Sequence, residues 1–131
     1  MSASLALRPE QLMRHRPPAL LLGGGIESTA AGLACDGIDD GPWRWARLLE
    51  GAAQAAGLLS GLQPGGPGPA ALIAEYRDVT LHAARHEGPV RFHAAFDRRI
   101  LRFWRCRVEA RSADGRLLLS GLVAVAPGAA P

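Results

Sequence analysis

The segment GPWRWARLLEGAAQAAGLLSG, residues 41–61, constrains the fold of this chain more than any other. Asp39 and Asp40 stand before Gly41 and Pro42, an acid or glycine ahead of a proline, which reads as a helix start and predicts a helix from about Pro42 to Ser60, closed by Gly61. At 100° per residue, Trp45, Leu48, Leu49, Ala52, Ala55, Ala56 and Leu59 share one broad face. Trp43, Arg47, Glu50, Gln54 and Gly57 fall on the opposite stripe. Side chains this small let a helix backbone approach a neighbouring sheet closely, so the helix needs a sheet to lie on.

The rest of the chain supplies one. ALLL at 19–22 reads as a short buried strand, GGG at 23–25 as its turn and STAAGLAC at 28–35 as the returning strand. Beyond the loop QPGGPGP at 63–69 the period changes from 3.6 to 2. In VRFHAAFD, Val90, Phe92, Ala94 and Phe96 oppose Arg91, His93, Ala95 and Asp97. In WRCRVEAR, Trp104, Cys106, Val108 and Ala110 oppose four charged residues, and ADG at 113–115 turns the chain into RLLLSGLVAVA. With ALIAEYRDVTL ahead of them, four strands follow the helix. An α+β layer is expected, with a helix lying across one curved antiparallel meander in a single domain over 1–131 whose ends, 1–14 and 127–131, are frayed.

At 131 residues the chain suffices for one core. All fifteen of its cationic side chains are arginine, interleaved with acids and apolar residues along most of the chain, and the net charge is +3. That argues against a nucleic-acid footprint, while a mildly basic surface still steers an acidic partner toward it. Apolar runs stay far short of the roughly 20 residues that span a bilayer, so no membrane insertion is expected. The N-terminus carries no signal-peptide pattern. Cys35 and Cys106 lack metal-ligand spacing and read as reduced thiols of a cytoplasmic protein.

Four stretches together resemble the hotdog-fold 3-hydroxyacyl-acyl-carrier-protein dehydratases, especially their aryl-polyene and polyketide-associated relatives. HRPPALLL at 15–22 is similar to the family's opening motif, and LLEGAAQAAGLL at 48–59 to its central-helix Glu-x-x-x-Gln-Ala. HEGPVRFHAAF at 86–96 and the final hairpin ending in GLVAV extend the likeness from about residue 13 to 126. The resemblance implies a hotdog fold, a long central helix wrapped by a curved antiparallel sheet. It also implies sites between two subunits, where an acid from the helix of one faces a histidine from a loop of the other.

By that match Glu50 is the catalytic acid, and Gln54, Trp43 and Arg47, on the same stripe, are the residues that bind or orient substrate. The substrate is implied to be an acyl chain on the phosphopantetheine of an acyl carrier protein, with no further cofactor and no metal. The loop that should carry the histidine reads CDGIDDGPW, with Asp36, Asp39 and Asp40 but no imidazole. A homodimer then has the acid twice and the base never, whereas a heterodimer with a histidine-bearing hotdog subunit completes one site. The expected reaction is dehydration to a trans-2-enoyl thioester. The competing expectations are a hotdog thioesterase using the lone carboxylate, and a non-catalytic structural subunit.

The remaining candidates have plainer readings. Arg47, Glu50 and Gln54 suit the wet side of an amphipathic helix. His15 suits a capping or surface residue. His82 and His86, four apart in a strand or loop, share no common ligand position, and His93 suits a solvent-facing or dimer-edge strand position. GGG lacks the helix and lysine that a phosphate loop requires.

Overall fold

The computed structural model describes residues 3–4, 20–63 and 71–127. His15, Pro17, Pro18, Ala19, most of the loop after the helix and most of both termini lie outside the described residues. Of the two ends expected to fray, Ala3–Ser4 pairs as a strand and Pro127 closes the last one.

Among the described residues nine strands and one long helix follow in the order β1 (Ala3–Ser4), β2 (Leu22–Ser28), β3 (Gly32–Gly37), β4 (Trp43–Arg44), α1 (Trp45–Leu62), β5 (Ala71–Leu81), β6 (Arg85–His86), β7 (Val90–Ile100), β8 (Phe103–Ser112) and β9 (Leu117–Pro127). Seven strands form one antiparallel sheet ordered β1-β2-β3-β7-β8-β9-β5, and β4 pairs with β6 separately. The strands after the helix are therefore not the simple meander expected. β5 crosses over to pair with β9, Tyr76 opposite Val123, and becomes an edge. Helix α1 touches β2, β3, β5, β7, β8 and β9, which a sheet can offer one helix only by curling around it. This is the hotdog architecture.

Alternation accounts for the inner face of the sheet. Trp104, Cys106, Val108 and Ala110 on β8 are buried, and so are Val90, Phe92 and Ala94 on β7. Phe96, expected on the same inner side, is 38% exposed, lining an open groove with Leu59, Leu62 and Gln63 at the end of α1, and a register shift follows at Phe96/Arg98. The helix itself is buried nearly all round from Gly51 to Ser60, so it is not two-sided as its periodicity suggests. Gly51 explains the close approach, since a Cβ there would run into the Phe92 ring.

Two local expectations are corrected. GGG is not a turn but lies inside β2, where Gly24 and Gly25 take positive φ values of 138° and 60° at two register shifts. Glycine makes these bulges possible, and the turn comes later at 29–31, closed by the Thr29 and Gly32 backbones. The helix starts at Trp45 with Arg44 as its cap residue, leaving Pro42 outside and Trp43 in β4.

Candidate functional site

Gln54 is only 2% exposed, which removes the wet-side reading of its stripe. Its Oε1 accepts the backbone N–H of Leu21 at 2.8 Å, where the chain enters β2. That donor fixes which end of the amide points which way, so Nε2 is turned toward Glu50 and donates to its Oε1 at 3.3 Å. Glu50 is half-buried, one helical turn before Gln54. A carboxylate and an amide among alanines thus form a relay from helix to sheet entry that aims the acid.

Tyr76 lies near Glu50. Its register partner Val123 is wholly buried against the helix side, so Tyr76 leans over the same face from the edge strand while remaining 42% exposed. Burial and the nearby negative charge of Glu50 push the Tyr76 phenol up from its ordinary value, keeping it an O–H donor at neutral pH. Sequence reading missed this residue. Twenty-six positions separate it from Glu50, and only the crossover of β5 to the sheet edge brings the two together.

Trp43 and Arg47, the other two candidates, meet at the start of the helix. Trp43 is fully buried, edge-on to Phe92 with ring centroids 5.4 Å apart. The Arg47 guanidinium lies 3.9 Å above the indole centroid. It also donates to the carbonyls of Ile38 at 3.0 Å, Gly41 at 3.2 Å and Pro42 at 3.4 Å, and pairs with Asp40. These contacts make Trp43 a core anchor and Arg47 a clamp on the loop 38–42. Two of the loop's three acids are engaged too, Asp36 with Arg91 at 2.6 Å and Asp40 with Arg47.

The described histidines have their contacts on other parts of the molecule. His82 meets Ser120 at 3.1 Å and His86 meets Arg116 at 3.2 Å. His93 lines an outer-face groove of about 590 Å³ with Arg107, Glu109 and Ser120. Its pKa is lowered, first by burial and then by Arg91. Among the described residues no group of three or more His, Cys, Asp or Glu is arranged to hold a metal ion. Both cysteines are free and buried, and burial pushes the Cys35 thiol up to about 11, leaving it protonated and unreactive. No described helix is long and apolar enough to cross a membrane.

Among solved structures, the chain is similar to a protein of the dehydratase heterocomplex ApeI:P from Xenorhabdus doucetiae, with a TM-score of 0.81 at 16% identity over 95% of this chain and 93% of that one. The chain has the hotdog fold. No protein-family model matches, and no curated protein matches. At this identity the likeness carries the fold alone, and the chemistry rests on the geometry around Glu50.

Proposed function

We propose that this chain is the acid-bearing subunit of a 3-hydroxyacyl thioester dehydratase, paired with a second hotdog subunit that brings the histidine. The observation that carries this reading is the aimed, half-buried Glu50 carboxylate beside an unfinished sheet edge. Among the described residues, strand β5 pairs with β9 on one side only, and it exposes Leu72, Ile73, Tyr76, Val79 and Leu81. A long apolar edge of this kind is a pairing surface. The similar structure is a heterocomplex by its own name, which favours a different hotdog chain as the occupant.

The substrate is a 3-hydroxyacyl chain held as a thioester on the phosphopantetheine of an acyl carrier protein. The partner's imidazole takes a proton from the carbon next to the thioester carbonyl. The carbon–carbon double bond forms as the C3–O bond breaks, and the Glu50 carboxyl passes a proton to the departing hydroxyl, which leaves as water. The product is a trans-2-enoyl thioester, as in polyene, polyketide or fatty-acid assembly. Gln54 holds the carboxyl in line throughout, and Tyr76 stands close enough to feel its charge.

Incubation of the chain with 3-hydroxyacyl carrier protein, alone and together with a histidine-bearing hotdog partner, tests this. Enoyl product is expected from the mixture only. Release of free acid by the chain alone points instead to the thioesterase, and enoyl formation that persists when Glu50 is replaced by Gln points to a structural subunit.

A further inference from the structure

The positive charge of this molecule is not spread evenly, although the sequence as a whole interleaves it. Residues 97–107, the β7–β8 hairpin, hold Arg98, Arg99, Arg102, Arg105 and Arg107 against Asp97 alone, a net +4 where the whole chain carries +3. The other 120 residues therefore carry a net −1. Asp97 is engaged with Arg105 at 2.8 Å and Arg98 at 3.6 Å, so one carboxylate faces most of the cluster. Arg99 and Arg102 lie over the rings of Trp104 and Phe103, which hold their guanidinium groups near the surface rather than in a salt bridge.

The tip of the hairpin is unusual as well. Ile100 and Phe103 close a two-residue turn, and its first residue, Leu101, has φ 56° and is 86% exposed. That backbone region suits glycine, and a bulky side chain there is strained. A leucine that is both strained and bare does nothing for the isolated fold. Beside the tip is a groove of about 360 Å³ on the outer face, lined by Ile100, Phe103, Arg105, Ala124, Ala74, Arg77 and Glu75, the last two paired with each other.

We infer that the β7–β8 hairpin is a docking surface for an acidic protein that presents an apolar side chain, the acyl carrier protein that delivers the thioester. This rests on the proposed function for the identity of the carrier. Arg98, Arg99 and Arg102 meet its carboxylates, and the projecting Leu101 and the adjoining groove exchange apolar contacts with it. The groove decides between acidic partners, because a convex protein side chain fills a concavity that a flat anionic bilayer leaves empty.

The test uses the complex of this chain with its hotdog partner and a holo acyl carrier protein as the probe, with binding measured by calorimetry at two salt concentrations. Binding that weakens with salt is expected, and reversal of Arg98, Arg99 and Arg102 to Glu is expected to weaken it about tenfold or more. Leu101→Gly relieves the turn, so it should leave Tm unlowered and still weaken binding. Turnover of a 3-hydroxyacyl pantetheine thioester, which needs no docking, should be the same in all variants. Loss of turnover on the small thioester in the unaltered complex speaks against the dehydratase reading and leaves the binding result to judge the hairpin. Carrier binding unchanged by both variants, or binding only to phosphatidylglycerol vesicles, overturns the inference.

Discussion

Strands β8 and β5 are nearly equal in length and lie one strand apart in the same sheet, yet they obey different rules. On β8 each inward residue from Trp104 to Ala110 is buried, and both edges of the strand are paired, to β7 and β9. On β5 five large apolar side chains are exposed, and among the described residues one edge is open. The sequence of β8 is explained by this chain alone. That of β5 fits the proposed second subunit, and the residue near Glu50, Tyr76, sits on it.

The largest effect should come from the β8 side of this contrast. Phe92 on β7 is fully buried between Trp43 and Gly51, so Phe92→Ala should cost about 3–5 kcal/mol in urea unfolding of the chain. The double replacement of Leu72 and Ile73 by Ser on β5 should cost the isolated chain less than about 1 kcal/mol and abolish assembly with the partner, read by light scattering. Equal losses of stability in the two variants would erase the distinction. Next, Gln54→Leu strands the Leu21 N–H and releases Glu50, at a cost of about 1–3 kcal/mol together with a fall in kcat. Tyr76→Phe removes the hydroxyl near Glu50, so kcat should drop about fivefold, about 1 kcal/mol, with assembly intact.

The smallest effect is a pH dependence. The His93 pKa is lowered in the folded state, by burial and then by Arg91, with Arg111 acting the same way and Glu109 and Glu27 opposing. The unfolded chain therefore takes up this proton first as pH falls below its ordinary value near 6.5. Stability should decline slightly from there and level off below the folded value, and His93→Gln should flatten that part of the profile.

Much of this was legible in the sequence. ALIAEYRDVTL is strand β5 from end to end, and the alternation of β8 names its buried residues correctly, because period-two patterning and burial on one face are the same fact. The triple glycine misled because a turn and a bulge ask the same backbone freedom of glycine. The helix start misled because Trp43, assigned by angle to an outer stripe, is pulled out of the helix by pairing with β6 and by the Phe92 ring. Glu50 and Gln54 were singled out by the family resemblance of their stretch, and the structure joins them by a hydrogen bond one turn apart. Tyr76 and the arginine hairpin were not, since one depends on a crossover between distant strands and the other on a local charge imbalance that the chain-wide total conceals.

The account turns on Glu50 acting at a seam with another subunit. The most direct measurement is enoyl-thioester formation by the chain carrying Glu50→Gln, mixed with its histidine-bearing hotdog partner, with the mass of the complex measured on the same sample. A complex of unchanged mass whose product falls to background is the predicted result. An intact complex that forms enoyl thioester at the original rate would contradict it.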